Sequence, residues 1–303
     1  MAKNIAASRQ KKPGGLSDKV SDIVLVVICA AVMLIVAYPL YYVLVASFSD
    51  PYDVYAGKTF LLPSQFTLKG YQAVFADSAL FSGFINSIKY TVIGTIYSVV
   101  MIYLVAYPLS VKDLPGRKYI SLFFVITMYF GGGMVPTYML VKSLHLTNSP
   151  LIMIVMGAVS VYNVIITRTF FENSIPNELQ EAAELDGCSH FKYFSAIVLP
   201  LSKAVISVIT LYYAVGHWND FFTALLYLNR DEYQPLQTVL RNILISNQAM
   251  AGTTGMGEGS YAQQYADQIK FAVIIVSTMP VLCIYPFIQK YFEKGVMIGA
   301  VKG

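Results

Sequence analysis

An all-α membrane protein with six spanning helices is the fold class predicted for this 303-residue chain, and three observations predict it. The composition is 56% hydrophobic and only 13% charged, whereas a soluble domain carries roughly a quarter of its residues as Asp, Glu, Lys and Arg. Charge-free windows recur along the chain at close to the length of about 20 apolar residues that a helix needs to cross a bilayer. Lysines and arginines are shared unequally between alternate connecting segments, as expected when alternate segments face opposite sides of a membrane.

The first window, 23–49, has no charge between Asp22 and Asp50. It exceeds the roughly 7–15 apolar residues of a secretory signal, and no small-residue cleavage site lies nearby, so a retained first helix is expected. The basic segment 1–20 before it contains Pro13, Gly14 and Gly15 and is expected to be flexible. The segment of about 50–86 after it has Pro51 and Pro63 as breakers and is expected outside the cell. The second helix is expected at 90–111, between Lys89 and Lys112, and the third at 119–141, between Lys118 and Lys142. Inside the third, "YFGGGMVP" interrupts the apolar run, and such a break is tolerated at membrane depth only where neighbours or a wet cavity satisfy the freed backbone groups. A kinked helix beside a pathway and close packing through small residues are both compatible with it.

The fourth helix is expected at 146–167, ending at Arg168, and the fifth at 204–219, continuing past Asp220 through "FFTALLYLN". The outer segment of about 229–269 contains "AGTTGMGEGS", which reads as a mobile loop or as a flexible probe for an external partner. The sixth helix is expected at 271–289, between Lys270 and Lys290, followed by a tail at 290–303. No internal repeat is apparent. Residues 21–303 therefore read as one six-helix domain.

Topology follows from the basic residues. With the N-terminus inside, inner segments hold Lys3, Arg9, Lys11, Lys12, Lys19, Lys112, Arg117, Lys118, Arg168, Lys192, Lys290, Lys294 and Lys302. Outer segments hold Lys58, Lys69, Lys89, Lys142, Arg230, Arg241 and Lys270. Both termini are expected in the cytoplasm of a multi-pass protein of the bacterial cell membrane. The net charge of +4 has the same origin and does not point to nucleic acid. Cys29, Cys188 and Cys283 show no disulfide framework or metal-ligand spacing and read as small packing residues.

One stretch departs from the greasy pattern: "EAAELDGCSHFKYFSAIVLP", residues 181–200, within an insert at about 174–202 on the cytoplasmic side. Ser174 is read as an N-cap with Pro176 near the first helical position, Gly187 as the positive-φ residue that ends the helix, and Ser189 as the cap of a second helix. On a wheel of about 100° per residue, Ile175, Leu179, Ala182 and Ala183 share one face, opposite Gln180, Glu181 and Glu184. A helix of about a dozen residues is marginal alone in water, so a docking partner is expected. The blander alternative is a short amphipathic helix lying against its own membrane domain.

Glu181, Ala182, Ala183, Asp186, Gly187, Ile197, Leu199 and Pro200 together resemble the EAA loop of ATP-binding cassette (ABC) importer permeases. The stretches "VPTYMLVKSLHLTNSPLIMIV", "HWNDFFTALLYL" and "FIQKYFEKGVMIGAVKG" resemble the carbohydrate-uptake permeases similar to the smaller permease of the maltose transporter. "YFGGGMVPTY" resembles the branch handling complex oligosaccharides or polysaccharide fragments. Ala204 departs from the pattern, standing where many members have a proline.

The resemblance covers roughly 23–303 and implies the six-helix type I ABC importer permease fold, with a coupling helix between helices four and five. It implies that Glu181 makes a polar contact with a cytoplasmic ATPase, that Ala182 and Ala183 pack closely there, and that Gly187 makes the corner, with Asp186, Leu199 and Pro200 completing the coupling motif. The C-terminal tail is implied to reach towards the ATPase as well. The implied partners are a second homologous permease, an ATP-binding cassette ATPase dimer, an extracellular or periplasmic solute-binding protein, a carbohydrate and lipid. ATP and Mg would belong to the ATPase subunits, leaving this chain with no cofactor. ATP binding would close the ATPases, draw the coupling helices together and turn the pathway outward.

No G-x-x-x-x-G-K-[ST] occurs, so this chain is not the ATP-hydrolysing part. Trp218, Asn219, Asp220 and Phe221 are substrate-pathway candidates, because they pair hydrogen-bonding groups with aromatic faces and an ionisable group near a span. An interfacial aromatic belt would give the same composition. An intramembrane enzyme is disfavoured, since His145, His190 and His217 lie in different segments and no acid-base or metal cluster accompanies them. The alternative function is an ion-coupled secondary sugar carrier, which would be expected to show repeats.

Overall fold

The computed structural model describes residues 16–253 and 269–284, and the regular elements there are helices joined by short turns. The basic segment before residue 16, the glycine-rich stretch at 254–260 and the tail at 290–303 lie outside the described residues. The first helix, α1 (Leu16–Ser47), is apolar all round, and its most apolar window is 0% buried in the chain. A helix of that kind needs a non-aqueous solvent or a partner around it.

Two short helices follow, α2 (Pro51–Tyr55) and α3 (Lys69–Ala76), before the longest one, α4 (Ser78–Ser110). Hydropathy placed this helix only from residue 90. It begins earlier because the Asp77 carboxylate accepts from the backbone N–H of Ala79 at 2.8 Å and of Leu80 at 3.2 Å, satisfying orphan donors of the first turn. The α4 helix is the mast of the fold. Its buried positions include Asn86, Ser87, Gly94, Ser98, Ile102 and Ala106, a run of mostly small or polar residues against which other helices pack.

The third and fourth windows each prove to be two helices rather than one. The glycine run 131–133 separates α5 (Arg117–Tyr129) from α6 (Met134–Ser143), whose axes are bent by 114°. The reason is local, since three consecutive glycines favour no helical continuation. In the fourth window a turn at Gly157 separates α7 (Ile152–Val155) from α8 (Val161–Ser174). The insert contributes α9 (Asn177–Leu185), followed by α10 (His190–Leu201) and α11 (Lys203–Trp218), which meet at 81°. A π-turn at Phe194–Val198 and Pro200 account for that bend. Ser202 completes it, its hydroxyl donating to the Val198 carbonyl at 2.6 Å. The bend therefore forms with Ala204 in the place of a proline.

After α12 (Phe222–Tyr227) the chain runs through a single 3-10 turn at Asp231–Tyr233 into α13 (Leu236–Thr253). A loop is expected here from the sequence. It is ordered because α4 clamps it. Asn86 Nδ2 donates to the carbonyls of Glu232 and Gln234, Tyr90 Oη donates to that of Tyr233, and Ser87 Oγ accepts from Leu236 N–H. The last described helix, α14 (Ile269–Ile284), packs Ala272 and Val273 with Val74, Leu80, Trp218 and Leu236.

By length and composition α1 and α4 are each able to cross a membrane alone, and the pairs α5–α6 and α10–α11 each pass as a broken span. Cys29 and Cys283 are exposed, so they do not pack the chain's own interior as expected; only Cys188 does so in part.

Candidate functional site

The insert at 174–202 is a helix, a corner and a helix, as the residues predict, but its start differs. Ser174 is the last residue of α8, and Pro176 occupies the N-cap of α9 with no side-chain cap. Extended backbone at Ile175 and Pro176 separates the two helices, because the residue before a proline is pushed out of the helical region.

The corner is hydrogen-bonded throughout. Gly187 N–H donates to the Glu184 carbonyl at 3.0 Å and Cys188 N–H to the Ala183 carbonyl at 2.8 Å, the paired bonds of a Schellman cap. Gly187 has φ +69°, as that cap requires. The Ser189 hydroxyl accepts from Lys192 N–H at 3.4 Å, starting α10 as expected.

The faces of α9 are sorted differently from the wheel reading. Ala183 is buried, joining Tyr103, Ala106 and Leu109 of α4, Phe171 of α8, and Tyr193 and Val198 of α10. Ile175, Ile197 and Leu199 pack against the same cluster. Ala182 is exposed with Glu178, Glu181, Asp186 and Pro200, and Leu185 is 89% exposed. Ala182 and Ala183 thus face different ways. The first is open to a partner, while the second seats α9 on its own membrane domain. Beside Glu181 a groove is lined by Ser110, Lys112, Asp113, Asn177, Gln180 and Glu184. Gln180 Nε2 donates to Glu184 Oε1 at 3.0 Å, and among the described residues Glu181 has no ion-pair partner.

One joint in this region links residues far apart in the sequence. The Glu172 carboxylate near the end of α8 receives both Arg117 of α5 and Arg168 of α8 on one oxygen. Arg117 Nε also donates to the Leu109 carbonyl of α4 at 2.8 Å, and Arg168 Nη1 to Ser121 Oγ of α5 at 2.8 Å. Two helices, α5 and α8, therefore share one carboxylate just before the chain enters the insert, and Arg117 ties α4 to the same joint through the Leu109 carbonyl. Only the Arg168–Glu172 spacing of four was visible beforehand; Arg117 is 55 residues away. Replacing Glu172 with alanine is expected to cost ~1–2 kcal/mol, because the removed carboxylate leaves two partly exposed guanidinium groups facing each other. Thermal unfolding of the detergent-solubilised protein measures this, and Glu172→Gln should give a similar loss.

The pathway candidates are not brought together on one surface. Trp218 is buried, its indole N–H donating to the Ser277 carbonyl of α14 at 3.1 Å and its ring meeting Phe84 edge-on. The Asp220 carboxylate accepts from Thr223 N–H at 3.0 Å and so braces the first turn of α12. Asn219 and Phe221 are exposed, although Asn219 Nδ2 also bonds the Val215 carbonyl. A turn deeper, the buried His217 lies against Gly94 and Ser98 of α4, with Nε2 3.3 Å from the Ser98 hydroxyl. The α11 helix is thus locked to α4 through its polar face.

Comparison with known proteins agrees with this arrangement. Residues 79–298 match the family described as "Binding-protein-dependent transport system inner membrane component". The chain is 44% identical over 271 residues to the polygalacturonan/rhamnogalacturonan transport system permease protein YtcP of Bacillus subtilis (strain 168), covering 89% of this chain and 94% of that one. It is 39% identical over 287 residues to Protein LplC of the same organism, covering 95% and 96%. A chain in the crystal structure of a bacterial ABC transporter involved in the import of the acidic polysaccharide alginate superimposes with a TM-score of 0.84 at 31% identity, over 92% of this chain and 99% of that one. With the motif, the helix order and the matched span in agreement, the chain belongs to the family of binding-protein-dependent transport system inner membrane components and has the ABC importer permease fold.

Proposed function

We propose that this chain is a permease subunit through which an oligosaccharide or polysaccharide fragment enters the cell, driven by ATP hydrolysis on partner subunits. The observation that carries the coupling part is the outward face of α9. A leucine that is 89% exposed, beside Glu178, Glu181 and the small Ala182, sits on a helix held rigidly from behind by Ala183. Such a face suits a groove on another protein: Leu185 offers apolar area, Ala182 close approach, and Glu181 a charge. The partners are a cytoplasmic ATPase pair, a second permease of similar fold and an external solute-binding protein. Both termini and α9 are placed in the cytoplasm, and the chain passes the membrane several times.

The carbohydrate class rests on the relatives, whose names specify polygalacturonan, rhamnogalacturonan and alginate. Family membership favours this reading over an ion-coupled secondary carrier, since the family depends on a binding protein. ATPase closure would push α9 and, through the Schellman corner, turn α10 and α11 against α4. Asn219 and Phe221 are the pathway candidates left free to meet cargo, while Trp218 and Asp220 support the backbone behind them.

Copurification tests the coupling. The tagged chain, extracted under mild detergent, is expected to bring an ATPase subunit with it, and Glu181→Lys together with Leu185→Asp should release that subunit while the second permease stays bound. A complex with no ATPase, or an unchanged one in the double variant, would overturn the assignment.

A further inference from the structure

The break between α5 and α6 holds more glycine than this conformation uses. Gly133 has φ +84° and ψ 172°, a region essentially confined to glycine, and it accompanies the 114° bend. Gly131 and Gly132 have no positive φ, and a Cβ on either would meet nothing closer than the Pro136 Cβ at 3.9 Å. Alanine therefore fits at both positions in this state.

The same two residues are free of hydrogen bonds. Among the described residues the N–H groups of Gly131 and Gly132 have no acceptor and their carbonyls no donor, so rotation there breaks none. Thr137 closes the first turn of α6 just beyond, its N–H at 3.3 Å and its hydroxyl at 2.7 Å both donating to the Gly133 carbonyl. Unsatisfied backbone groups are costly in hydrocarbon, which keeps the glycines away from acyl chains.

The helices on either side are held differently. No residue of α5 is buried in the chain, and its ties lie towards its inner end, where Arg117 reaches Glu172 and the Leu109 carbonyl and Ser121 accepts from Arg168. The α6 helix is fixed at its outer end. Val141 is buried with Met153 of α7 and Tyr227 of α12, and the Tyr138 ring stacks on that of Tyr227 with centroids 5.7 Å apart. The turn after α6 is clamped as well, Asn148 N–H donating to the Tyr227 carbonyl at 2.8 Å and Asn148 Oδ1 accepting from Asn229 N–H at 2.6 Å. Turning α5 about its inner joint uncovers no core, whereas moving α6 would.

We propose that Gly131 and Gly132 form a hinge about which α5 turns on its inner joint while α6 stays with α7 and α12. Glycine there keeps open backbone regions that a Cβ closes, and a second conformation is what would use them. The inference rests on the transport reading, in which movement of α9 reaches α5 through α8 and Glu172.

Distances between spin labels on Phe123 of α5 and Met139 of α6, both exposed, test this in the intact reconstituted complex. Cysteines replace those two residues in a background with Cys29, Cys188 and Cys283 changed to serine, and the partner subunits stay unlabelled. The expected result is a shift of several ångströms between the nucleotide-free complex and one trapped with ATP, magnesium and vanadate. Gly131→Ala combined with Gly132→Ala should diminish that shift and slow ATP-dependent uptake several-fold. The double variant should melt no lower than its parent and keep the second permease, since alanine fits both sites and restricts the unfolded chain. An unchanged parent distance in a vanadate-trapped complex would sink the hinge alone, and an undiminished shift in the double variant would remove it from these glycines. Loss of the second permease from the double variant would instead assign the glycines to packing between subunits. A complex that holds no ATPase and traps no nucleotide would overturn the transport reading, and the proposal with it.

Discussion

Changing Gly187 to valine is expected to abolish uptake, whereas Gly187→Asn should retain most of it. At φ +69° an L-residue pays about 1–2 kcal/mol, and a β-branched side chain more, while asparagine tolerates this region. No heavy atom lies within 4 Å of where a Cβ would stand, so the effect is one of backbone strain and not of collision. The magnitude matters because α9 has only nine residues, too few to persist alone. Loss of the bonds from Gly187 and Cys188 to the end of α9 would free it from the start of α10. Ala183 would then have to hold the helix without the corner. Substrate uptake and ATPase retention in membranes, compared for Val, Ala and Asn at this position, check the expectation, and equal activity of Val and Asn would refute it.

Gly94→Ala is expected to destabilise the core more than any substitution in the insert. An alanine Cβ there would lie 2.7 Å from Cε1 and Nε2 of His217, a ring that is buried and stacked on Tyr213 with centroids 6.3 Å apart. The ring cannot withdraw without losing Ser98, so α4 and α11 must separate. Overpacking of this kind costs typically 1–3 kcal/mol, and close helix approach through small residues is a main source of association within bilayers. The double variant with His217→Ala should recover much of the loss, since the added methyl then fills part of the vacated space. Thermal denaturation of the purified complex with Gly94→Ala, His217→Ala and both together forms the cycle. Strict additivity of the two single effects would show that the contact is not what limits the site.

The two variants report on different parts of one mechanical line. Gly187 governs how α9 is presented, and Gly94 how α11 is held to the mast α4. Glu172 lies between them, at the joint of α4, α5 and α8. The α9 helix is joined to the other helices along two routes. One runs through Ala183 into the buried cluster, and the other through the corner into α10 and α11.

The insert was readable because its signals are local. Gly187 and Ser189 act within a few residues of themselves, and the EAA spacing lies within one short helix. Ser174 was misread because a serine before Ile-Pro is a reasonable cap in isolation. Here α8 runs on through it, and Pro176 restarts the chain. The wheel failed at Ala182 and Ala183 because the orientation of so short a helix is set by what lies behind it. Trp218 and Asp220 look like pathway residues by type, yet one packs between α4 and α14 and the other braces the first turn of α12.

What the sequence by itself determined is the membrane as solvent, the approximate places of the apolar helices and the helix–corner–helix form of the insert. Each depends on composition, on period or on residues a few positions apart. Only the tertiary structure decided that 236–253 is a helix clamped by Asn86, Ser87 and Tyr90, and that Arg117, Arg168 and Glu172 meet. It also decided which side of α9 looks outward. These depend on contacts between residues tens to more than a hundred positions apart, whose energies appear only when the helices are brought together.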